Sequence, residues 1–395
     1  GEMSQSDAGT AQVRRLRRGR GEVVAFPPAV RRPKVAITGG AGFLGSRLVK
    51  ALALRAEWDI VVLDLAPALN VPDEVRHRFL DLNLPHVDGT VYRILKDEKP
   101  DVVVHLAALR SPSLDTTYTH ELNSLGALYI LAAAGEAKIP KVVMGSTTMV
   151  YGARGDNPNF LTEEHHLRAD VQDRFVQDFV EAEKHARDHQ RNYPDVHVSV
   201  LRFAQIHAPE VRDYKAKYFK SFFAITLLGY DPLIQVLHPE DATSALLKAV
   251  YQKETRGVFN VAPEGVLPLS TILLLYGALP VPVPHPLAYP LIEAAWLVGL
   301  GLAPGIHADY LRYLCVASND KAKSVLGWTP AWTTLDTVLE SAQARRGQGR
   351  VLGWEALEEA ARRAAYRYDQ RVHRTRREPA VKIPGKPSSR KEAAS

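Results

Sequence analysis

Residues 38–45 read Thr-Gly-Gly-Ala-Gly-Phe-Leu-Gly, and this stretch decides the fold. An apolar run at residues 35–37 precedes it, and a helical pattern of apolar residues follows it from Leu48 to Leu54. The stretch therefore predicts a strand that turns through the glycines into the first turn of a helix. Backbone N–H groups at a helix start lack acceptors within the helix and lie at the positive end of its dipole, so they bind phosphate groups well.

The spacing of the three glycines matches what a dinucleotide pyrophosphate requires. Gly39 permits the tight turn, Gly42 lets the backbone approach the phosphates, and Gly45 lets the helix pack closely on the strand. A second apolar run at residues 60–63 ends in Asp64, about twenty residues further on. A carboxylate there accepts hydrogen bonds from the adenosine ribose and repels a 2′-phosphate. The sequence therefore predicts an NAD site, with NAD favoured over NADP.

Apolar runs alternate with helical patterns over the first half of the chain. The runs lie at residues 35–37, 60–63, 102–105, 142–144 and 198–201. Such alternation predicts an α/β protein with a Rossmann-type doubly wound parallel sheet, followed by a smaller C-terminal α/β substrate domain. The predicted divisions are a basic flexible tail at 1–33, an NAD-binding Rossmann domain at 34–205, a smaller substrate-binding domain at 206–345 whose segments interleave with it, an amphipathic helix at 346–373 and a basic flexible tail at 374–395.

The net positive charge of the chain, +6 at neutral pH, belongs to its ends. Residues 1–34 hold eight Lys or Arg against three Asp or Glu, and residues 371–395 hold eight against two. The segment between them therefore carries a net negative charge. Solvated tails are the simpler interpretation of these ends, and contact with an anionic membrane surface is the alternative. Because basic and aromatic residues do not interleave in the body, we expect no nucleic-acid partner.

The chain has one cysteine, Cys315, in an apolar context. A single cysteine cannot form a disulfide within the chain, which fits a reducing compartment. The N-terminal segment shows no apolar stretch of signal-peptide length. We therefore expect a cytoplasmic protein, with peripheral membrane contact through the basic tails as the open alternative.

A second apolar stretch, residues 291–302, lies far from the glycines and follows a proline-rich segment. It is too short and too interrupted to span a membrane. We interpret it as a buried helix of the smaller domain, and the alternatives are the lining of an apolar pocket or a helix on a membrane surface.

Several short motifs follow the glycine stretch in order. They are Asp81-Leu82, His105-Leu106-Ala107-Ala108, Asn123-Ser-Leu-Gly126, Ser146-Thr-Thr-Met-Val-Tyr151-Gly152, Arg202-Phe-Ala-Gln-Ile-His-Ala-Pro209, His238-Pro-Glu-Asp241 and Leu326-Gly-Trp-Thr-Pro330. Over residues 34–340 this series resembles the extended short-chain dehydrogenase/reductases, the family of nucleotide-sugar epimerases and dehydratases. The resemblance implies an NAD cofactor held by Gly39, Gly42, Phe43, Leu44, Gly45, Asp64, Asp81, Leu82, Leu106, Ala107, Ala108 and Asn123.

The chain departs from this family at its proton-transfer pair. Members carry Tyr-x-x-x-Lys on a helix, followed four residues later by a glutamate. With Glu183 as the anchor, those two positions hold Phe175 and Phe179. Neither side chain carries a proton or a charge, so we expect the family's usual mechanism to be lost. The rings themselves predict packing in the core, in a homodimer interface, or as an apolar wall over the nicotinamide.

A replacement acid or base would have to come from other positions. The resemblance places Thr147 at the family's catalytic hydroxyl, and it gives the motif's tyrosine, Tyr151, a structural or substrate-contact role. Thr147 and Tyr151 are nevertheless the catalytic candidates, with Tyr151 as a surrogate acid. Other polar candidates nearby are Asp178, His165, His166 and Glu164. His185 and His189 have metal-ligand spacing, but charged neighbours indicate a solvated helix face, so no metal site is predicted.

Three functions remain open at this point. The first is an NAD-dependent sensor or scaffold that has lost catalysis. The second is an atypical epimerase, dehydratase or reductase acting on a nucleotide sugar or a lipid-like substrate. The third is a membrane-peripheral adaptor held by the basic tails. A homodimer is expected in each case, since the family pairs the altered helix with its copy.

Overall fold

A computed structural model of the protein describes residues 15–17, 23–25, 31–346 and 354–377. Its strands are β1 (Arg15–Arg17), β2 (Val23–Ala25), β3 (Lys34–Thr38), β4 (Asp59–Asp64), β5 (Arg76–Phe79), β6 (Val102–His105), β7 (Lys141–Thr147), β8 (His197–Phe203), β9 (Gln205–Ile206), β10 (Phe223–Leu227), β11 (Leu233–Ile234), β12 (Val236–Leu237), β13 (Gly257–Val261), β14 (Leu267–Pro268) and β15 (Leu279–Val283). Its α-helices are α1 (Phe43–Arg55), α2 (Val87–Glu98), α3 (Thr116–His120), α4 (Gly126–Glu136), α5 (Arg174–Asn192), α6 (Tyr214–Phe219), α7 (Pro239–Tyr251), α8 (Leu269–Leu275), α9 (His285–Leu297), α10 (Asp320–Ser324), α11 (Thr334–Arg346) and α12 (Trp354–Arg377).

Seven parallel strands form the central sheet in the order β13-β8-β7-β6-β3-β4-β5. The chain winds outward from β3 in both directions, so the order of strands reverses between β3 and β6. Ligands of open α/β sheets bind at this reversal, beyond the carboxyl ends of the strands. The predicted Rossmann-type doubly wound fold is confirmed.

Both faces of the sheet are buried, which explains why its inner strands are continuous runs of apolar residues. Helices α1 and α7 cover one face, where Leu48 and Leu52 pack on Ile37. Helices α2, α4 and α5 cover the other face, where Ile130 and Leu131 belong to the same cluster as the strands. The glycine stretch is therefore held by a fully packed core on both sides.

The sequence analysis missed both edge strands. The first, β5, reads Arg-His-Arg-Phe and has no fully buried residue. Its two arginines donate hydrogen bonds to Glu98 at 2.8 and 3.1 Å, so a buried carboxylate on α2 stabilises a polar strand. The second, β13, comes from the stretch assigned to the smaller domain and pairs with β8.

The smaller region contains three short two-stranded pairings: β9 with β12, β10 with β15, and β11 with β14. Its own core joins α6, α8, α11 and α12, with Leu273, Tyr276, Val338 and Trp354 among its buried residues. The predicted basic tails, 1–33 and 374–395, lie mostly outside the described residues. Within them the structure describes the antiparallel pair β1–β2, residues 31–33 and the last turn of α12.

The prediction of a buried helix over residues 291–302 is wrong. Helix α9 has one buried residue, Ala288, and the segment after it exposes 84% of Leu300. Local apolar character cannot distinguish a helix inside a core from one on a surface, because both read as a run of leucine, alanine and valine. Over the part of the chain that the structure describes, no helix is long and apolar enough to cross a membrane.

Candidate functional site

A cavity opens at the carboxyl end of the sheet, at the strand-order reversal. We call it the glycine-loop cavity. Residues that line it include Gly39, Gly42, Phe43, Leu44, Gly45, His105, Leu106, Ala108, Asn123, Ser146, Thr147, Phe175, Phe179, Tyr214 and Lys215. It encloses about 1110 Å³, including its open mouth.

The glycine loop leaves no room for side chains. Gly39 has φ of +67°, and a Cβ added there would lie 2.7 Å from the backbone nitrogen of Ala107. A Cβ added at Gly45 would overlap the carbonyl oxygen of Gly39. Because backbone atoms form both obstacles, neighbouring side chains cannot move aside to relieve them. The turn and the close packing therefore require glycine, as the spacing predicts.

The start of α1 can receive a phosphate. Its N-cap is Gly42, which offers no side chain to the first amides of the helix. Those amides lack intrahelical acceptors, and the residues that carry them, Phe43, Leu44 and Gly45, line the cavity. The backbone thus presents donors and a positive dipole end where a dinucleotide would place its pyrophosphate.

Asp64 lies at the end of β4, beside the loop. Its Oδ2 accepts a hydrogen bond from the Ala41 amide at 2.9 Å, and its Oδ1 accepts one from the Leu65 amide at 2.7 Å. These two bonds fix the carboxylate and leave lone pairs for further donors, since an ionised carboxylate accepts about four hydrogen bonds. The arrangement fits a ribose diol.

Four residues that the resemblance assigns to NAD lie outside the cavity lining: Asp64, Asp81, Leu82 and Ala107. Asp81 accepts a hydrogen bond from the Asn83 amide at 3.0 Å, and Leu82 is buried beside Gly126. Their predicted contact with NAD stays a prediction.

A buried histidine at the end of β6 stabilises the strand that leads into the glycine loop. The sequence motif that contains it predicts no separate role for it. His105 Nδ1 lies 2.7 Å from Thr38 Oγ1, which joins the carboxyl ends of β6 and β3. Burial lowers the pKa of His105 to about 4, so the ring is neutral at ordinary pH. The pair holds the two central strands together where the reversal occurs.

Asn123 connects the cavity to the helix layer. Its Oδ1 accepts a hydrogen bond from the Leu109 amide at 2.8 Å. Its Nδ2 is buried and has no hydrogen-bond partner within the described ranges, although the residue lines the cavity. Residues Glu121–Leu125 form a π-helical turn, a feature common at functional sites. A buried donor facing the cavity fits a cofactor that brings acceptors.

The two predicted catalytic hydroxyls occupy different environments. Thr147 lines the cavity at the end of β7 and accepts a weak hydrogen bond from the Met149 amide at 3.3 Å. Tyr151 is buried away from it: its hydroxyl donates to Asn260 Oδ1 at 2.8 Å and accepts from Arg202 at 2.7 Å. Burial raises the pKa of Tyr151 to about 12, although Arg202 opposes the shift. This geometry favours a structural role for Tyr151 over proton transfer.

The partner of Tyr151 belongs to a buried ion pair. Arg202 on β8 donates to both carboxylate oxygens of Glu183 on α5, and Ser146 Oγ donates to Glu183 at 2.7 Å. Burial opposes the charge on Arg202, yet its hydrogen bonds and attraction to Glu183 raise its pKa overall. The network fixes α5 against β7 and β8, so it sets the position of the two phenylalanines.

Phe175 and Phe179 form part of the cavity wall. Their rings meet edge to face with centroids 5.5 Å apart, and both pack in a cluster with Met149 and Val176. They are 7% and 9% exposed, so they contact their own chain and need no partner subunit to cover them. The predicted homodimer, which would use this helix, stays a prediction.

Helix α6 brings two residues to the cavity that the sequence analysis did not identify. The Tyr214 ring packs edge to face on Phe175, with centroids 6.5 Å apart. Lys215 Nζ lies 5.8 Å from the Tyr214 centroid and 5.6 Å from that of Tyr310. Among the described residues this amine makes no hydrogen bond or salt bridge. Burial lowers its pKa, and Asp213 opposes the shift. No motif marks these positions, since only the fold joins them to α5.

The other polar candidates lie elsewhere. Asp178 accepts from His120 on the outer side of α5 at 2.7 Å, and with Glu181 they form a group whose ligand atoms lie within 4.8 Å. Nδ1 of His165 accepts from the Thr162 amide in its own loop.

The predicted solvated face at His189 is wrong, because its ring is buried and stacks on Tyr193.

Known proteins resemble this chain over much of its length. Residues 35–262 match the model of the NAD dependent epimerase/dehydratase family. An uncharacterised protein of Mycobacterium tuberculosis is 28% identical over 349 residues, which cover 81% of this chain and 90% of that protein.

Two solved structures have the same fold. One is the UDP-glucose 4-epimerase of Thermus thermophilus in complex with NAD, with a TM-score of 0.61 and 21% identity over 80% of this chain and 99% of that one. The other is the UDP-glucuronic acid 4-epimerase of Bacillus cereus in complex with UDP-glucuronic acid and NAD, with a TM-score of 0.62 and 17% identity over the same shares. From the match over residues 35–262, the chain belongs to the NAD-dependent epimerase/dehydratase family.

Proposed function

We propose that this protein binds NAD(H) in the glycine-loop cavity and carries out redox chemistry of the family's type without the Tyr-x-x-x-Lys pair. The observation that carries the proposal is one cavity that combines an intact dinucleotide cradle with phenylalanines at the positions of that pair. Both solved structures named above are complexes with NAD, which supports the same cofactor here. UDP-glucuronic acid in one of them supports a small-molecule substrate such as a nucleotide sugar.

Helix α6 supplies the proton-carrying groups for this chemistry. Bound NAD would accept a hydride from a substrate hydroxyl carbon. Lys215 would take the hydroxyl proton, because burial lowers its pKa and so increases the neutral fraction of the amine. Tyr214 would line the substrate site beside Lys215, since its ring packs on Phe175 while its hydroxyl donates to the Met149 sulfur at 3.6 Å. Phe175 and Phe179 would keep water from that part of the cavity.

A second candidate function is NAD(H) sensing without turnover. The observation that favours it is again the pair of phenylalanine rings, which carry no proton where the family needs one. Under this alternative Lys215 would have no catalytic role, and NAD(H) binding would serve to order the chain for a partner.

Cofactor binding is tested by calorimetric titration with NAD and NADP. We expect Asp64→Ala to weaken NAD binding about tenfold, because the ribose loses charge-assisted hydrogen bonds, and to reduce discrimination against NADP. The matched control is Asp88→Ala, which removes an exposed carboxylate on α2. Equal binding of both nucleotides by the wild type and Asp64→Ala would contradict the assignment of the site.

Turnover is tested with NAD and a panel of UDP-sugars and long-chain alcohols, by following both NADH and the appearance of a new product, because an epimerase or dehydratase returns the hydride and leaves no net NADH. We expect Lys215→Met to lower the rate about 100-fold, the scale of a lost general base, and the exposed Lys217→Met on the same helix to leave it unchanged. NAD binding without NADH or a new product from any member of the panel would instead favour the sensor.

A further inference from the structure

A second cavity adjoins the first and is not needed to hold a dinucleotide. We call it the apolar cavity. The two share Met149, Ala204, Gln205, Tyr214 and Lys215, so their walls are continuous. The apolar cavity encloses about 1480 Å³, including its mouth, and is the larger of the two.

The lining of this cavity is mostly aliphatic and aromatic. Several helices and strands contribute to it, with residues that include Phe219, Ile225, Leu233, Leu269, Ile292 and Leu311. Polar side chains such as Thr148, Ser221 and His307 also line it, and the amide of Gln235 is satisfied by the Ala317 backbone at 2.8 and 3.0 Å. A ligand that fills this volume must therefore be mostly apolar.

Two hydrogen-bond donors stand where the cavities meet. Nε2 of Gln205 is buried and has no partner in the described part of the chain. Nζ of Lys215 contacts aromatic rings and makes no hydrogen bond or salt bridge with the described residues. An unpaired buried donor such as Gln205 Nε2 is costly and is usually satisfied by a ligand or water, whereas the half-buried Lys215 amine adds a second donor beside it. An oxygen acceptor at the end of an apolar ligand would satisfy both.

Part of the apolar cavity's lining is exposed, and these exposed apolar residues form its mouth. Phe223 and Leu300 both line the cavity, and they are 63% and 84% exposed. Phe222 packs on Phe223 with centroids 4.7 Å apart, and Leu279 pairs with Phe223 across β10 and β15. The end of α9 adds Leu297, which is 63% exposed. An exposed apolar patch of this kind marks an interaction surface.

A basic group lies at the same mouth. Arg312 stacks on Tyr313, which lines the cavity, with its guanidinium 4.6 Å from the ring centroid. It also donates to the Tyr230 hydroxyl at 2.9 Å. Tyrosine and arginine beside exposed phenylalanine and leucine are the residues that a protein places at the headgroup level of an anionic bilayer.

We propose that the apolar cavity holds the hydrocarbon chain of a lipid that enters from an anionic bilayer, with the rim of Phe222, Phe223, Leu297 and Leu300 inserted into the membrane surface. The oxygen-bearing end of the lipid lies between Gln205 and Lys215, beside the glycine-loop cavity. A continuous apolar path from the rim to the interior lets the chain leave the bilayer without crossing water. Binding of a hydrocarbon chain in the apolar cavity does not depend on the proposed function. Only the placement of the lipid oxygen beside NAD rests on that function.

Vesicle flotation tests the rim, using phosphatidylcholine vesicles with and without phosphatidylglycerol. We expect the full chain to float with the anionic vesicles and the double variant Phe223→Ser/Leu300→Ser to bind about tenfold more weakly, as expected for losing two apolar insertions. The control is Leu54→Ser, which removes a leucine that is 88% exposed on α1. Equal flotation of the wild type and the double variant would contradict the proposed insertion of the rim into the membrane. If the double variant changes its oligomeric state but floats as the wild type does, the rim contacts a second copy of the chain. That result would also contradict membrane insertion.

Fluorescence of cis-parinaric acid tests the cavity without NAD present. We expect saturable binding that Ala295→Trp abolishes by filling the cavity, whereas Ala294→Trp, exposed on the same helix, leaves it intact. Lys215→Met should weaken binding of the carboxylate probe about tenfold. Absence of saturable binding, or equal binding by both tryptophan variants, would overturn the proposal. Since NAD is measured separately by calorimetry, failure of the cofactor site and failure of the lipid site give different results.

Discussion

The two cavities meet at Lys215 but are made from different parts of the chain. The dinucleotide cradle of the glycine-loop cavity is built from backbone: the turn at Gly39, the amides at the start of α1 and the close approach of Ala107. The apolar cavity is built from side chains that arrive from α6, β10, α8, α9 and the segment after it. A backbone site demands particular residues at fixed spacing, whereas a side-chain site accepts many apolar residues.

This difference explains what could be predicted. Gly39, Gly45 and Asp64 are readable because each satisfies a local steric or hydrogen-bonding need. Lys215 was not identified, because nothing near it in sequence shows that α6 packs on Phe175. Tyr151 was an expected catalytic candidate from its motif, but its surroundings, Arg202 and Asn260, come from distant strands.

The same limit applies to the fold. The inner strands are buried on both faces and so read as apolar runs, whereas β5 is polar and depends on Glu98 for its place. Residues 291–302 read as core, but they lie at the mouth of a cavity and expose Leu300. Composition shows that a segment prefers an apolar environment without showing whether the protein supplies it.

The largest expected effect comes from breaking the ion pair that holds α5, the helix that brings Phe175 and Phe179 to the glycine-loop cavity. Glu183→Ala leaves Arg202 buried without its carboxylate and should lower the free energy of unfolding by about 3–5 kcal/mol. The exposed Glu181→Ala on the same helix is the control. Urea unfolding measures both, and equal stability of the two variants would show that the ion pair does not hold α5.

Gly45→Ala should break the backbone-made cavity alone. Its Cβ meets the Gly39 carbonyl, so we expect NAD binding to weaken by about 100-fold and stability to fall by roughly 1–3 kcal/mol. Gly89→Ala, with nothing within 4 Å of its Cβ, is the control. If parinaric acid still binds to Gly45→Ala, the two cavities are independent; loss of both ligands would contradict their separate construction.

Acid should lower the stability of the fold beside the same cavity, by protonating His105. Its folded pKa of about 4 lies below the unfolded value, so it contributes stability above pH 6.5 that is lost as the pH falls toward 4. The loss is on the order of 3 kcal/mol. Unfolding measured against pH should show a shallower slope for His105→Gln, which retains a polar partner for Thr38. An unchanged slope would place the acid sensitivity elsewhere, for example at His207, whose pKa burial lowers to about 3.

The smallest expected effect is that of Tyr151→Phe. It removes one hydroxyl and leaves Arg202 and Asn260 short of a partner, which should cost about 1–3 kcal/mol of stability. NADH formation, where detected in the wild type, should survive at a temperature where the variant is folded. If the variant instead loses turnover while its stability is unchanged, Tyr151 has a catalytic role.

Strand β13 is synthesised long after the strand with which it pairs, and this affects folding during translation. The ribosome delivers β8 long before Gly257–Val261, so the sheet has an open edge while the intervening segment is made. Until Asn260 emerges, the Tyr151 hydroxyl also lacks the oxygen to which it donates. An open parallel edge of this kind attracts other chains. A fragment that stops at residue 205 should therefore aggregate, although it contains the whole glycine loop.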